Sequence, residues 1–381
     1  MRLYEHEAKA ILSRYGIAVP RGTLVTSPEQ AFDAAEEIGK PVMVKAQVLV
    51  GGRGKAGGIL SAENPEKASE VAASLLGRKI GGEDVRKLLV EERLEMTSQF
   101  YVGVTVDSAK GCPVAMISSR GGIDIEEAAS SDPKSLVTAS VNVLEGFREY
   151  QARSLARTAG IEGVAAASSG LTLWRLFQIF RTYDAELAEI NPFVETTDGR
   201  FVAADARLNI DDHALFRHPE IDSMRDTRAE GPLEREARMS GVNFVDLSGE
   251  VAIMGNGAGL VMTMLDMVKR SGEEPACFLD TGGGASKDRV HKALNLLFMK
   301  ARDDPRVKAI LFTLSLMITP AEEATEGIIK AMKNAPSSLP VYGVIHGTGS
   351  SAAQLELRES GVKLFERIED AIQAISQITR R

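Results

Sequence analysis

The second half of the chain alternates short apolar segments with glycine-rich turns and amphipathic segments. Strand patterns at residues 250–254 and 276–279 are each followed by glycines and then by a helical pattern, which ends at Arg270 and near Ala301. The alternation continues at residues 307–314, 321–333, 340–345 and 351–359. Strand–helix repeats that are joined by short turns predict a doubly wound parallel sheet.

The first half has a different pattern. A helix is predicted at residues 3–15, and Ser27-Pro28 and Asn64-Pro65 each place a capping side chain before a proline at a helix start. Strands are predicted at 41–50, 88–91, 100–106 and 114–118, and 100–106 partly alternates as a half-buried antiparallel strand does. A helical stretch covers 149–183 with an interruption at 160–170, and 188–195 with 201–205 predicts a hairpin.

The charged stretch 222–238 is the expected linker, which gives domains at residues 1–235 and 236–381. A chain of 381 residues is too long for one ordinary core. Its net charge of −8 argues against a nucleic-acid partner, and its longest apolar runs, such as 309–316, are too short to span a membrane. The two cysteines, Cys112 and Cys277, lie far apart, and residues 1–6 form no apolar signal core. These features predict a cytoplasmic protein without a structural zinc site.

A lysine and a glycine-rich loop form the first chemical motif, Lys45-Ala-Gln-Val-Leu-Val-Gly-Gly-Arg-Gly-Lys-Ala-Gly-Gly58. Glycines let backbone N–H groups approach phosphate oxygens, and the cations neutralise charge. The order of residues is not that of a Walker A loop. The motif favours a polyphosphate site, and the alternative is a hairpin tip with incidental cations.

Acidic and amide side chains form two further motifs. Leu88-Leu-Val-Glu-Glu92 ends a strand with carboxylates that could accept bonds from a base or a ribose, although a solvated strand end has the same pattern. Ala188-Glu-Ile-Asn-Pro192 and Ala203-Ala-Asp-Ala-Arg207 place Asn191 and Asp205 on two strands of the predicted hairpin. Such oxygen ligands suit Mg²⁺. The alternative is a turn asparagine and an exposed aspartate.

Two glycine turns, Gly255-Asn-Gly-Ala-Gly259 and Thr281-Gly-Gly-Gly-Ala-Ser286, each follow a strand and precede a helix. Backbone N–H groups at such positions favour anions. The first turn is a poor dinucleotide fingerprint, because Leu260 takes the place of the third glycine. Two such turns at neighbouring strand ends predict a shared anion site.

Taken together, these motifs resemble the β subunit of succinyl-CoA synthetase, an ATP-grasp protein. The resemblance runs from residues 3–9 to residues 307–310. Its most specific stretches are residues 51–58, 189–192, 209–218, 255–260 and 279–284. It implies an α/β chain with an ATP-grasp half followed by a flavodoxin-like half.

The resemblance also implies roles in a ligase of the tricarboxylic acid cycle type. The residues that would bind ATP are Lys45, Gly52, Arg53, Gly54, Glu91, Leu94 and Gln99. Asn191 and Asp205 would hold Mg²⁺, Glu189 would contact a phosphohistidine, and Asn256 would contact the carboxylic acid. A partner α subunit would supply the phosphohistidine and the CoA site in an αβ or α2β2 assembly. None of this chain's five histidines lies in a phosphohistidine motif, so we expect the chain alone to be inactive.

One segment departs from the family. The family has N-x-F-G-G-I-x-R after the strand at 307–311, whereas this chain has Thr313-Leu-Ser-Leu-Met-Ile-Thr-Pro320. Leu316 and Met317 replace both glycines, and Pro320 replaces the arginine. A later family arginine is replaced near His346, and leucine and methionine do not easily adopt the backbone geometry open to glycine.

We therefore expect an acid that is larger, more apolar or differently charged than succinate, bound near Leu316, Met317 and Ile318 with His346 nearby. The alternative is that the loop has moved and another segment binds succinate. In the nucleotide half, Gln99 replaces a family glutamate near ATP, which keeps hydrogen bonding and removes one charge.

Three other functions are compatible with parts of the sequence. They are a non-catalytic or regulatory nucleotide-binding paralogue, a ligase for malate or another dicarboxylate, and a carboxylate–amine ligase without an α partner. The intact set Lys45, Arg53, Asn191 and Asp205 favours a ligase subunit, and the paired glycine turns argue against the amine ligase. ATP is expected rather than GTP, because nothing indicates a guanine-specific pocket.

Overall fold

The structure, a computed structural model, describes residues 1–122, 125, 136–227, 231–317, 319–336 and 338–379. The chain divides into two compact units, Met1–Arg228 and Ala229–Arg381. The predicted boundary at residue 235 falls inside a helix, Pro232–Met239. Leu233 and Ala237 of this helix pack in the core of the second unit, so the helix belongs to that unit.

The first sheet of the first unit is antiparallel and packs against two helices. Its elements are β1 (Gly22–Val25), α2 (Pro28–Ile38), β2 (Val42–Ala46), β3 (Ile59–Ala62), α3 (Pro65–Leu75) and β6 (Leu88–Glu92). The strand order is β1-β6-β2-β3, and a small hairpin, β4 (Lys79–Ile80) with β5 (Glu83–Asp84), lies outside it. The predicted caps are confirmed, since Ser27 accepts from the Gln30 amide at 3.3 Å and Asn64 accepts from the Lys67 amide at 2.8 Å.

The second sheet of this unit is also antiparallel. Its strands are β7 (Met96–Asp107), β8 (Cys112–Ser118), β9 (Val137–Ser140), β10 (Ala185–Thr196), β11 (Phe201–Ala203) and β12 (Arg207–Ile210). The order is β11-β10-β7-β8-β9, with β12 also paired to β10. Helices α1 (Glu5–Arg14), α4 (Glu149–Thr158) and α5 (Gly163–Thr182) contribute to its core, and the unit ends with a 3-10 turn at Asp212–Arg217, the short helix α6 (Pro219–Asp222) and a second 3-10 turn at Ser223–Thr227.

The helical interruption that was predicted at residues 160–170 is shorter in the structure. Helix α5 begins at Gly163 and continues through Gly170 without a break. A Cβ at Gly170 would lie 2.7 Å from the Arg153 Cα, so this glycine allows α5 to pack closely against α4. Farther along, Leu173 and Phe177 are fully buried, which stabilises the helix by about 1.5–3 kcal/mol each.

The second unit is a doubly wound sheet with helices on both faces. Its strands are β13 (Asn243–Asp246), β14 (Val251–Gly255), β15 (Pro275–Asp280), β16 (Ala309–Leu316), β17 (Val341–Gly347) and β18 (Lys363–Phe365). Its helices are α7 (Pro232–Met239), α8 (Ala258–Arg270), α9 (Lys287–Asp303), α10 (Ala321–Met332), α11 (Ser350–Glu359) and α12 (Ile368–Thr379). The order β13-β15-β14-β16-β17-β18 is parallel except for the edge strand β13. The five parallel strands follow the flavodoxin-like order, and the predicted fold class is confirmed.

The strand order reverses between β14 and β16, which is the position where doubly wound folds bind ligands. Helices α8 and α12 pack on one face of the sheet, and α9, α10 and α11 pack on the other. Among the helices in the described part of the chain, none has the length and apolar character needed to cross a membrane.

Candidate functional site

A cleft of about 670 Å³ lies in the first unit, beside the loop that joins β2 to β3. One side of the cleft is this loop, and the other side is formed by β10 and by the bend between β11 and β12. The predicted site residues that line it are Gly52, Arg53, Gly54, Glu189, Asn191 and Asp205. Two motifs that are far apart in sequence therefore share one cleft.

Glycine determines the path of the loop at two positions. Gly52 has a φ of 71°, a conformation that other residues rarely adopt. At Gly58 a Cβ would lie 2.7 Å from the Ile80 Cδ1, so a larger residue requires that side chain to move. The Gly58 amide donates to the Arg53 carbonyl at 2.8 Å, and this bond folds the loop back on itself and fixes the position of Arg53.

Five charged residues are buried together behind the loop. They are Glu5, Lys9, Lys45, Arg53 and Glu91, each less than 9% exposed. The Lys45 Nζ lies 2.5 Å from Glu91 Oε1 and 3.0 Å from Glu5 Oε1, and it donates to the Ala204 carbonyl at 2.7 Å. The Lys9 Nζ lies 2.6 Å from Glu91 Oε2 and 2.8 Å from Glu5 Oε1, and it donates to the same carbonyl at 2.8 Å.

Arg53 connects this buried cluster to the cleft. Its Nη2 lies 2.6 Å from Glu5 Oε2 and 2.8 Å from Asp205 Oδ1, while its Nη1 donates to the Ala46 carbonyl at 3.1 Å. Burial alone would lower the pKa of Arg53, but Asp205 and Glu5 outweigh burial and raise it. The guanidinium is therefore charged and held at the surface of the cleft.

The Glu5 carboxylate and the Lys45 ammonium are charged as well. Burial alone would raise the pKa of Glu5, but Lys45, Lys9 and Arg53 outweigh it and hold that pKa well below 4.5. Burial alone would lower the pKa of Lys45, but Glu5 and Glu91 raise it above its usual value. The cluster therefore places three cations, Lys9, Lys45 and Arg53, next to the cleft, and each of them is paired with a carboxylate.

The two predicted metal ligands differ in their local structure. Asn191 lies on β10, and its Oδ1 accepts from the Gly122 amide at 2.8 Å. Asp205 was expected on a strand, but it lies in the bend between β11 and β12, because the chain leaves the sheet after Ala203. This bend places its carboxylate at the cleft, where the side chain is 30% exposed and accepts from Arg53. Both residues therefore have side-chain oxygens at the same cleft that could serve as metal ligands.

Glu189 lies on β10, and its Oε2 accepts from the Tyr101 hydroxyl at 3.3 Å. The other four residues that were expected to bind ATP do not line the cleft, and one of them, Lys45, is in the buried cluster. Glu91 is in the buried cluster, Leu94 packs with Val194 and Val202, and Gln99 is exposed on β7.

In the second unit, one aspartate occupies both glycine turns. Asp280 is 5% exposed, and its Oδ1 accepts from the Gly257 amide and from the Gly282 amide, each at 2.7 Å. The Thr281 amide also donates to the Gly255 carbonyl at 2.9 Å. The two turns do meet at neighbouring strand ends, as predicted, but the chain's own carboxylate already takes one amide from each.

Asn256 bridges the point where the strand order reverses. Its Nδ2 donates to the Ser315 carbonyl at 2.8 Å, and its Oδ1 accepts from the Ser315 amide at 2.7 Å. The amide side chain therefore connects the turn after β14 to the end of β16. It thereby fixes Ser315, which belongs to the altered segment, the stretch Thr313–Pro320 that departs from the family.

The altered segment has fewer solvent-accessible side chains than the three contacts predicted from the sequence. Leu316 is 1% exposed and packs in the core, because it is the last residue of β16 and pairs with Gly347. Met317 is 76% exposed. Ile318 lies outside the described residues. Of the two predicted contacts that the structure describes, Met317 has an accessible side chain and Leu316 does not.

Comparison with known proteins gives matches over both halves of the chain. Residues 2–195 match the family model of the ATP-grasp domain, and residues 254–378 match that of the CoA-ligase. The Thermus thermophilus protein named succinate–CoA ligase [GDP-forming] subunit beta is 43% identical over 98% of both chains. The Archaeoglobus fulgidus protein named succinate–CoA ligase [ADP-forming] subunit beta 1 is 45% identical over 96% of this chain and 93% of its own. The chain belongs to the succinate–CoA ligase β-subunit family.

Solved structures add information on the fold of this family member. The ATP citrate lyase of Methanothrix soehngenii, in complex with citrate and coenzyme A, has a TM-score of 0.78 to this chain at 18% identity. The match covers 100% of this chain and 99% of that one. At this level of identity the likeness concerns the fold alone.

The sequence did not predict two residues of the buried charged cluster, Glu5 and Lys9. Glu5 and Lys9 are one helical turn apart in α1, on the face that also buries Ala8 and Leu12. A charged pair on the apolar face of a helix is unusual, because buried charges need partners. That local contradiction was the available signal.

Proposed function

We propose that this chain is the nucleotide-binding β subunit of a ligase that joins a carboxylic acid to coenzyme A, using the γ-phosphoryl group of ATP. The observation that carries the proposal is the cleft, in which loop residues 48–55, including Arg53, meet Asn191 and Asp205. The length of the match to the β-subunit relatives supports the same assignment for the whole chain.

The loop and the cations behind it suit a polyphosphate. Backbone amides around Gly52 and Gly54 would approach the phosphate oxygens, and Arg53 would neutralise their charge. Glu189, beside them in the cleft, would orient the histidine that receives the phosphoryl group. In that step the bond from the γ-phosphorus to the ADP oxygen breaks, and a bond to an imidazole nitrogen of the partner forms.

Mg²⁺ fits the oxygen donors of Asn191 and Asp205. Within the described residues, no group of three or more His, Cys, Asp or Glu side chains is arranged to hold a metal ion. That suits a cation which takes one or two protein oxygens and completes its shell with phosphate oxygens and water. The ion would supply charge neutralisation of the phosphates, and we expect EDTA to remove nucleotide-driven phosphorylation.

The partner would be an α subunit that carries the phosphorylated histidine and the CoA site, in an αβ or α2β2 assembly. The acyl phosphate would form by transfer from that histidine, and the CoA thiol would displace phosphate to give the thioester. The fit of the second unit to the CoA-ligase family supports this division of labour.

The experiment is co-expression of this chain with the α subunit encoded by the same organism. Incubation with Mg²⁺ and labelled ATP should place acid-labile phosphate on the partner, and Lys45→Ala should abolish it. Lys40→Ala, an exposed lysine just before β2, is the matched control and should retain the label. A partner that co-purifies but takes no phosphate from any nucleotide would make this chain a non-catalytic paralogue and end the proposal.

The identity of the nucleotide is tested in the same assay. Relatives of similar identity are named GDP-forming in Thermus thermophilus and ADP-forming in Archaeoglobus fulgidus. We propose ATP, and a higher kcat/KM with GTP would contradict that choice.

We also propose that the acid is not plain succinate. Leucine and methionine replace the two glycines of the family segment, and Met317 offers an exposed thioether side chain where the family has none. An acid panel with the reconstituted complex should give its highest kcat/KM with a larger or more apolar carboxylate. If kcat/KM with succinate equals or exceeds that with every other acid tested, this part of the proposal fails.

A further inference from the structure

The two buried lysines have no hydrogen left for a ligand in this structure. An ammonium group has three N–H donors. Lys45 directs them to Glu5, Glu91 and the Ala204 carbonyl, and Lys9 directs them to the same three residues. A phosphate that approaches either ammonium must therefore replace one of these acceptors.

The two carboxylates differ in their access to the cleft. Glu91 divides its oxygens between Lys45 and Lys9, and it does not line the cleft. Glu5 lines the cleft and contacts all three cations, with Oε1 on the two lysines and Oε2 on Arg53. Within the described residues, Glu5 Oε2 has no hydrogen-bond partner of good geometry besides this ion pair. Glu5 is therefore the acceptor that an entering anion can replace.

We propose that Glu5 is a resident anion, which holds Arg53, Lys45 and Lys9 in position for the nucleotide and is replaced there by phosphate oxygens. This inference rests on the proposed function, because it assumes that the cleft receives the polyphosphate of a nucleotide. Glu5 is a positioning residue in this scheme, since it acts on the nucleotide through the three cations.

The scheme has an energetic consequence that a purely structural role does not have. Three buried cations without Glu5 repel one another, so Glu5 stabilises the nucleotide-free protein. The same carboxylate competes with phosphate for those cations, so it weakens nucleotide binding. Stability and affinity should then respond to Glu5 in opposite directions.

The test uses the full chain and three variants. Glu5→Gln removes the charge at nearly constant shape, and Glu5→Asp keeps the charge on a shorter side chain. Glu36→Gln, on the exposed face of α2, makes the same charge change away from the cleft. Calorimetric titration with Mg-ADP gives Kd, and thermal unfolding with and without Mg-ADP gives Tm.

Glu5→Gln should lower the Tm of the nucleotide-free protein and tighten Mg-ADP binding by about fivefold or more. The rise in Tm at a fixed Mg-ADP concentration should grow accordingly. Glu5→Asp should lie between Glu5→Gln and the wild type in both quantities, and Glu36→Gln should match the wild type.

Weaker or unchanged Mg-ADP binding by Glu5→Gln overturns the inference, because a structural residue would lose stability and affinity together. If Glu5→Gln does not fold, Glu5→Asp decides by the same criterion. A wild-type chain that binds no nucleotide, alone or with its partner, would instead contradict the proposed function.

Discussion

The cleft of the first unit and the glycine turns of the second unit both contain groups that attract anions, but these groups are paired in different ways. In both regions the chain's own carboxylates satisfy those groups. In the first unit Glu5 and Glu91 bridge side-chain cations beside a cleft of about 670 Å³. In the second unit Asp280 takes two backbone amides and is itself buried.

The difference lies in what an incoming ligand can replace. Cations on long side chains can exchange one carboxylate for another anion while the backbone stays in place. Backbone amides that hold a buried aspartate cannot do so unless the turns move. Glycine-rich turns alone therefore do not indicate an open anion site, whereas a glycine loop next to paired cations is a stronger indication.

The largest effect is expected in the buried cluster. Glu91→Gln should lower the free energy of unfolding of the first unit by about 3–5 kcal/mol, because two buried ammoniums lose a shared counter-charge. Trp174, the chain's single tryptophan, lies on α5 in this unit, so its fluorescence in urea reports the transition. Glu36→Gln is the control, and an equally small effect in both variants would mean that the cluster contributes little.

The second prediction addresses the second unit. Asp280→Ala should destabilise it by about 2–4 kcal/mol, since two partly buried amides lose their carboxylate acceptor. Asp280→Asn keeps an oxygen at the same position and should lose less. Hydrogen exchange of peptides covering β14 and β15 measures the effect locally, and equal protection in Asp280→Ala and the wild type would show that the amides find other acceptors.

A smaller effect is expected in the pH dependence of the stability of the first unit. The pKa of Glu5 is held well below 4.5 in the folded state, so the unfolded state binds protons more readily. Its stabilising contribution is therefore fully present above pH 4.5 and is lost as the pH falls through the folded-state pKa. Urea unfolding followed by Trp174 fluorescence should show stability decreasing more steeply below pH 4.5 in the wild type than in Glu5→Gln. Parallel pH profiles would contradict this.

The smallest effect is expected at the point where the strand order reverses. Asn256→Ala removes two hydrogen bonds to the Ser315 backbone and should cost about 1–2 kcal/mol. Hydrogen exchange should increase in the peptide that contains Ser315 and Met317. If Asn256 also contacts the acid, KM for the acid should rise beyond what the lost stability explains, and an unchanged KM would restrict its role to holding the segment.

The sequence predicted what depends on local pattern. Caps at Ser27 and Asn64 begin helices because their side chains bond to amides three residues later, and the alternation after residue 250 becomes a parallel sheet. The glycine loop and Asn191 could likewise be recognised from neighbouring residues. Each of these features depends on residues close together in the chain.

The sequence could not predict what depends on long-range contacts. Glu5, Lys45 and Asp205 come from three distant segments, and no local pattern shows that Arg53 joins the first to the last. Asp280 fills the glycine turns through bonds across two strand ends, which a list of glycines does not reveal. The predicted contact at Leu316 depends on which face of β16 it occupies, and only the packing determines that.

The Ala204 carbonyl accepts from both Lys9 and Lys45, and it immediately precedes Asp205 in the chain. Because this acceptor belongs to the backbone, exchanging the side chain at position 204 leaves it in place. A single-residue insertion or deletion in the bend would instead displace the carbonyl and the carboxylate together. Substitution at position 204 should therefore be tolerated, whereas a change in the length of the bend should not.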